Sequence, residues 1–365
     1  MGSGTVLRHA VEAGHQAIGV DMDPLAVLMS RVWSKHVDDR DIEAALSSLI
    51  EKLSSLMKKD VHLPWIDEDE ETKKFVDFWF GKKQKSDLRR LAFALNVLSM
   101  EAGPRRRAAF DLLKVAMSRI IITKSTGASL AHDVSHSRPH RVMTVSDFDV
   151  LSAFARSVKQ VRSRIAATPK GASARVSIGD ARELRGIGRQ TADLVLTSPP
   201  YLNAIDYMRG HKLSLVWMGH SISSLRTIRS ASIGAERKAS DEHTARAESI
   251  QRAMVNVSDL ESRNIAIVKR YSYDLLKMMH QISRVLKQDG RAILVVGNSC
   301  LKETFIRNSN GVIEAARLAD LSLVSEIIRD LPSNSRYLPM PKQADSALGK
   351  RMRTESILTL RHTAA

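Results

Sequence analysis

One cysteine, Cys300, stands in 365 residues. A lone thiol excludes an internal disulfide framework and a cysteine-rich zinc site, and it suits a chain kept in a reducing cytoplasm. No apolar run approaches the ~18 residues that span a bilayer, and the N-terminus lacks a basic-then-apolar signal pattern, so no membrane partner is expected. Internal repeats and low-complexity tracts are absent as well. Acid is in deficit: 40 Asp and Glu face 56 Lys and Arg, a formal charge of +16. Surplus cations gain free energy by displacing counterions from phosphates, which points to a polyanionic partner, although basic surfaces also occur on proteins that bind no nucleic acid. Hydrophobic residues at 43% and charged residues at 26% suit a globular protein. The length allows about two domains at ~150 residues each.

The chain has two textures. Near its start, Val6 to Val11 carries a helical period that closes at Gly14, where a helix terminus favours positive φ. Ala17 to Val20 is a short apolar run of buried parallel-strand type, leading into Asp21-Met22-Asp23-Pro24. From about Ala26 to Ala167 helical periods dominate, at Ile42 to Met57, Leu88 to Leu98, Phe110 to Ile121 and Phe148 to Ile165. An acidic run from Asp67 to Glu71 interrupts them, and Ser125 to Arg141 reads as an irregular loop. Strand signals return at Arg175 to Ile178, Ala192 to Thr197, Arg291 to Val296, Leu323 to Ile328 and Ser356 to Leu360. Helices are expected over Tyr271 to Leu286 and Gly311 to Leu318, with a turn at Gln288-Asp289-Gly290. Helices alternating with short apolar strands predict an α/β sheet.

In doubly wound sheets, ligands sit beyond the carboxyl ends of the strands, and two groups of residues fall there. Gly2-Ser3-Gly4-Thr5 lets backbone amides approach a ligand at a helix N-terminus, and Asp21 ends the next strand, where a carboxylate can accept ribose hydroxyls. Asp180 closes the strand at Arg175 to Ile178, in reach of an exocyclic amine. A dinucleotide fingerprint would want a third glycine where Leu7 stands, so nicotinamide-type binding is disfavoured. Turn glycines beside a solvated acid are common, and this pattern alone decides nothing. The second group is Thr197-Ser198-Pro199-Pro200-Tyr201. Consecutive prolines cannot donate ladder hydrogen bonds and hold the backbone extended, so the strand ends sharply. The carbonyls and the serine hydroxyl become fixed acceptors for a planar amine, and the ring can stack on the base carrying it. A polyproline turn with a packed tyrosine is the plain alternative.

Together, in this strand order, the two groups resemble the S-adenosylmethionine-dependent DNA amino-methyltransferases, which modify cytosine N4 or adenine N6. Gly2-Ser3-Gly4 matches the family's Gly-x-Gly loop, Asp21 its ribose-binding acid and Asp180 its adenine-contacting acid. Ser198-Pro199-Pro200-Tyr201 matches its catalytic Asp/Asn/Ser-Pro-Pro-aromatic tetrapeptide. The resemblance covers roughly residues 2–24 and 174–360. It implies a Rossmann-like methyltransferase sheet built from residues 1–30 and 171–365, with residues 31–170 as a helical insertion that can contact DNA. S-adenosylmethionine is the implied cofactor and DNA the implied substrate, with a restriction or recognition subunit as a further partner and no metal. Serine at the head of the tetrapeptide leans toward cytosine N4. Methylation of RNA or of adenine N6, and a catalytically dead DNA-binding subunit, are the alternatives. The family places a buried strand immediately before the glycine loop, whereas Met1 stands there in this sequence. The sheet is therefore expected to lack its first strand, which favours a fragment or misassigned start over a second polypeptide or a degenerate relative.

Weaker candidates are basic. His136-Ser137-Arg138-Pro139-His140-Arg141, the lysines and arginines from Lys82 to Arg90, Arg105-Arg106-Arg107, and the segment from Pro339 to Arg353 suit phosphate contacts or ordinary solvated faces. Asn203, Asp206, Tyr207, Arg209, His211 and Lys212 follow the tetrapeptide and are expected beside it, and Trp217 reads as core.

Overall fold

The computed structural model describes residues 1–57, 59–123, 126–132, 139–169, 171, 173–202, 206–234, 245–302, 304–331 and 354–363. They form two compact units, residues 1–178 with 206–229 and residues 179–205 with 230–365.

The first unit is mainly helical. It contains α1 (Thr5–Glu12), β1 (Ile18–Asp21), α2 (Pro24–Trp33), α3 (Asp39–Ser55), α4 (Pro64–Asp67), α5 (Glu70–Trp79), α6 (Lys82–Glu101), α7 (Pro104–Ile121), β2 (Ala131–His132), β3 (His140–Arg141), α8 (Val150–Ile165) and β4 (Arg175–Ile178). After β5 (Ala192–Thr197) the chain adds α9 (Met208–Leu215) and most of α10 (Ile222–Ala231) to this unit. Leu88, Leu91 and Leu95 recur at helical spacing on α6 and are buried in one cluster with Ile42 and Leu49 of α3 and Leu112, Leu113 and Ala116 of α7. Trp217 is buried in the same cluster, as expected of a core residue. The acidic run proves to be helix-start chemistry. Asp69 accepts the Thr72 amide at 2.7 Å, and Glu70 and Glu71 fill the first turn of α5. The segment expected as irregular loop contains a short antiparallel pair, with His132 opposite His140. Gly14 has φ +80°, as its place after α1 requires.

The second unit contains β5, α11 (Ala245–Met254), α12 (Ser262–Val285), β6 (Leu286–Gly297), β7 (Ser299–Leu301), β8 (Thr304–Ile306), α13 (Asn308–Arg317), β9 (Leu321–Asp330) and β10 (Thr354–His362). Its main sheet has the order β5-β6-β10-β9, with β5 parallel to β6 and β10 antiparallel to both neighbours. Alternate β6 residues Ala292, Leu294 and Val296 are buried with Tyr271, Leu275 and Met279 of α12 in one core cluster. The expected turn at Gln288-Asp289-Gly290 is instead part of β6. Pairing with β5 jumps from Ala192–Leu286 to Leu194–Arg291, so the turn-forming residues are taken up as an irregularity in the ladder.

A mixed α/β fold is observed, but not one continuous sheet. β1 pairs with β4 in the first unit, while β5 and the later strands pair in the second. Among the described residues β1 pairs as a strand only with β4 and β5 only with β6. Apolar side chains are correspondingly open, with Ile18 and Ile178 at 46% and 62% exposure and Leu194 at 52%. Among the described residues, no helix is long and apolar enough to cross a membrane.

Candidate active site

In the first unit, the glycine loop and the strand-end acid meet. The Asp21 carboxylate accepts the Gly2 amide at 2.8 Å through Oδ2 and the Asp23 amide at 3.0 Å through Oδ1. Gly4 is the residue before α1, with φ +89°, and a Cβ there would lie 2.7 Å from Cα of Ser30. Only glycine supplies both that backbone and that clearance. Ser30 also donates its hydroxyl to the Gly2 carbonyl at 3.0 Å, tying the loop to α2. Thr5 opens α1, whose first turn has no capping side chain and no acid, so its amides are left to backbone, solvent or ligand. Ser3 is exposed.

Asp180 belongs to the second unit, and its carboxylate is already occupied. Arg182 donates its backbone amide to Oδ1 at 2.8 Å, its Nε to both oxygens at 3.0 Å and its Nη2 to Oδ2 at 2.5 Å. The same guanidinium reaches Oδ1 of Asp274 on α12 at 2.6 Å and the Ala231 carbonyl at 2.6 Å. Asp180, Arg182 and Asp274, with Glu183, Lys277, His280 and Gln281, line a cleft of about 480 Å³. Burial pushes the Asp180 carboxyl upward, but the Arg182 hydrogen bonds and charge outweigh it and hold the group below the usual range. Asp274 is more deeply buried, and burial pushes it up despite Arg182. A ligand amine at Asp180 would have to share an acceptor that Arg182 already fills.

The Ser198-Pro199-Pro200-Tyr201 corner follows β5 directly, in the same unit. Ser198 donates its hydroxyl to the Val295 carbonyl of β6 at 3.0 Å. Its Oγ also lies 3.2 Å from the Tyr201 hydroxyl, which donates to Glu355 of β10 at 3.4 Å. Tyr271, fully buried on α12, donates its phenol to the Pro200 carbonyl at 2.9 Å. Sheet register explains the arrangement. Glu355 stands opposite Gly297 of β6 on one side and Arg329 of β9 on the other. Arg329 holds Oε2 of Glu355 at 2.7 Å, and the absent side chain of Gly297 makes room for the Tyr201 ring, since a Cβ there would meet Cε2 at 2.8 Å. Burial raises the Tyr201 phenol above its ordinary range, and the Glu355 carboxylate adds to the rise.

Ser198, Pro199, Pro200 and Tyr201 thus stand together with Asp180 in the second unit, while Gly2, Ser3, Gly4, Thr5 and Asp21 stand together in the first. Asp206, Tyr207, Arg209, His211 and Lys212 also belong to the first unit, where His211 Nδ1 lies 2.5 Å from Asp23 and Asp206 pairs with Arg209 and Arg229. Asn203, His136 to Arg138, and Pro339 to Arg353 lie outside the described residues. Within the basic run from Lys82 to Arg90, Lys85 pairs with Asp77, Arg89 with Asp67 and Arg90 with Asp87. Arg105, Arg106 and Arg107 are exposed at the start of α7. Among the described residues no group of three or more His, Cys, Asp and Glu could hold a metal. Arg182, Tyr271, Asp274, Arg329 and Glu355 were not marked by the sequence, because each holds at least one partner that lies far along the chain.

No protein-family model matches the sequence, and no curated protein does. Among solved structures, matches include two of a candidate DNA modification methylase from Thermus thermophilus, one of them complexed with S-adenosyl-L-methionine. Both are 16% identical to this chain and cover 51% of it, with TM-scores of 0.27 and 0.28. The chain spans about half the length of these relatives, 52% in each case.

Proposed function

We propose that this protein transfers a methyl group from S-adenosylmethionine to the exocyclic amine of an everted base in DNA, cytosine N4 in the first instance. The observation that carries the reading is the Ser198-Pro199-Pro200-Tyr201 corner. With its own proton on the Val295 carbonyl, Ser198 Oγ serves an incoming amine as an acceptor. The Tyr201 ring is half-buried and seated over Gly297, and Tyr271 fixes the Pro200 carbonyl. These contacts limit the motion of the corner before any base arrives.

Within the first unit, Gly2 to Thr5 and Asp21 are proposed as cofactor contacts, the loop amides for a charged end and the carboxylate for a ribose. Within the second, Asp180, shared with Arg182, is proposed as the acceptor for an adenine amine. The fit rests on Gly2, exposed at φ +60° with nothing within 4 Å of a Cβ, which leaves the loop backbone open there, while Gly4 packs the loop on Ser30. The cofactor supplies a methyl carbon on a sulfonium, open to attack by a nitrogen lone pair. Ser198 and the Pro199 carbonyl accept the two amine hydrogens, which turns the nitrogen lone pair toward the methyl carbon. A methyl group passed to this nitrogen would leave its bonding electrons on the cofactor's sulfur, and the nitrogen would shed one of the two hydrogens as a proton to solvent past Ser198 Oγ. Everting the base costs a few kcal/mol, and stacking on Tyr201 returns part of that, about 1–3 kcal/mol per base on such rings.

Residues 1–30 and 171–365 are proposed as the catalytic region, with the helices of 31–170 touching DNA through cations such as Arg105 to Arg107. A cytoplasmic setting and a recognition or restriction subunit complete the reading. The test is transfer of labelled methyl from S-adenosylmethionine to DNA and to RNA in parallel, with calorimetry of cofactor binding. Label on cytosine N4 of DNA is expected. Label on RNA alone, or DNA binding without cofactor binding, overturns the reading.

A further inference from the structure

Ser198, Tyr201 and Glu355 bring three oxygens together with two protons to distribute among them. The serine proton has a pure acceptor, the Val295 carbonyl, at 3.0 Å. The phenol proton has two acceptors: Ser198 Oγ at 3.2 Å and Glu355 Oε1 at 3.4 Å. On Ser198 it would occupy one of the two lone pairs of Oγ and leave an incoming amine only the other. On Glu355 it leaves both open to the amine. Hydrogen bonds to an ionised acceptor are roughly twice as strong as neutral ones, so the carboxylate competes well despite the longer distance. Arg329 aims it, donating to Oε2 through Nη2 at 2.7 Å and Nε at 3.2 Å. The pairing is built into the sheet, because register sets Glu355 between Gly297 and Arg329.

We propose that Glu355 is a positioning residue for methyl transfer, drawing the Tyr201 phenol proton away from Ser198 so that Ser198 accepts the substrate amine. The proposal rests on the reading of Ser198 as that acceptor. Glu355 touches no reacting atom; it acts through Tyr201. The other groups facing this phenol are Ser198 after β5, the Gly297 amide of β6 and the Tyr271 phenol from α12, while Arg329 of β9 reaches it only through Glu355.

A double-mutant cycle tests it, with methyl transfer to DNA as one readout and the Tyr201 phenol titration as the other. Glu355→Gln can turn its amide N–H toward the phenol, which sends the phenol proton back to Ser198. In the wild-type background kcat is expected to fall about tenfold while KM for cofactor and DNA stays within about twofold. In a Tyr201→Phe background no phenol proton exists to misplace, and the same substitution should change kcat less than about twofold. Glu355→Asp should recover part of the loss. The Tyr201 ionisation, read as the absorbance difference between each protein and its Tyr201→Phe partner, should move to lower pH in Glu355→Gln, because the neighbouring carboxylate charge is gone. Equal losses in both backgrounds, or an unmoved Tyr201 titration, overturn the role of Glu355 and leave the transfer reaction standing. A wild-type protein that transfers no methyl overturns the methyltransferase reading, and the titration then still reports whether Glu355 holds the phenol.

Discussion

Tyr271 donates its phenol to the Pro200 carbonyl across 2.9 Å, joining the middle of α12 to the corner after β5. The ring has no solvent exposure and belongs to the core cluster of its unit, so the hydrogen bond is placed by packing rather than by the corner itself. A proline carbonyl held this way cannot rotate without disturbing the helix. That makes α12 the support on which the corner rests.

Tyr271→Phe keeps the ring and removes the hydroxyl, which donates to Pro200 and accepts from the Leu202 amide. Loss of one such bond costs about 0.5–1.5 kcal/mol, and the exposed Pro200 carbonyl can turn to water instead. Urea unfolding should show a stability loss in that range. Methyl transfer should fall further than stability does, with cofactor affinity unchanged. Tyr271→Ala adds a cavity and should cost about 3–5 kcal/mol. If Tyr271→Phe matches wild type in transfer, the corner does not depend on this bond.

Gly2 and Gly4 make a paired test of the glycine loop. Both have positive φ, +60° and +89°, so alanine at either position meets backbone strain of about 1–2 kcal/mol. Only at Gly4 does the new Cβ also collide, 2.7 Å from Cα and Oγ of Ser30. Gly4→Ala should therefore abolish cofactor binding in calorimetry and lower the melting temperature markedly. Gly2→Ala should show the smaller strain alone and retain measurable binding. Equal effects at the two positions would contradict the close approach of Gly4 to α2.

Asp180 sets a pH dependence with a defined sign. Its folded carboxyl titrates below the unfolded value because Arg182 outweighs the effect of burial. Such a group adds stability that is present above its unfolded pKa, about 3.9, and that is lost as pH falls through the lower folded value. Asp180→Asn should accordingly be less stable than wild type at neutral pH. The gap should close as the solution is acidified below about pH 4. Urea midpoints measured from pH 7 downward for both proteins check this. A gap that widens toward acid would mean that Arg182 is not what holds the carboxyl down.

The elements and the site differ in how far one stretch of sequence could reveal them. α6, α7 and α8 declared themselves because a helix buries residues three and four apart, a period visible in any short window. β4 and β5 fall on the expected residues, since a strand bounded by charged residues and a proline corner has little freedom in its ends. The tetrapeptide was legible for the same reason: prolines act on their own backbone. Glu355 was not, because it lies 154 residues from Tyr201 and reaches it only through the register of β10 between β6 and β9. Arg182 stood beside Asp180 in the sequence, yet its grip on Asp274 depends on α12, a chain distance of 92 residues. The division of the strands between two sheets was likewise invisible. Apolar runs report that a strand forms, and not which strand it will find.

Gly297 should be as indispensable to the corner as Tyr201 is. It ends β6 and faces Glu355 across the ladder, and the Tyr201 ring fills the place where its side chain would be. Alanine there would put Cβ 2.8 Å from Cε2 and 3.3 Å from Cδ2 and Cζ, which a ring cannot absorb by bending. Overpacking of this kind costs about 1–3 kcal/mol. A ring displaced by roughly 1 Å is enough to reduce a position-sensitive transfer by about a hundredfold. Gly297→Ala should therefore lose both stability and methyl transfer. In a Tyr201→Ala background the collision disappears, so Gly297→Ala should then cost little stability, while transfer stays abolished for want of the ring. Gly103, with no neighbour in range of a Cβ and no positive φ, provides a collision-free control, in which alanine costs only the N-cap preference at the start of α7. If Gly297→Ala destabilises the protein equally with and without the tyrosine, its intolerance comes from the strand and not from the ring, and the seating of Tyr201 over Gly297 is refuted.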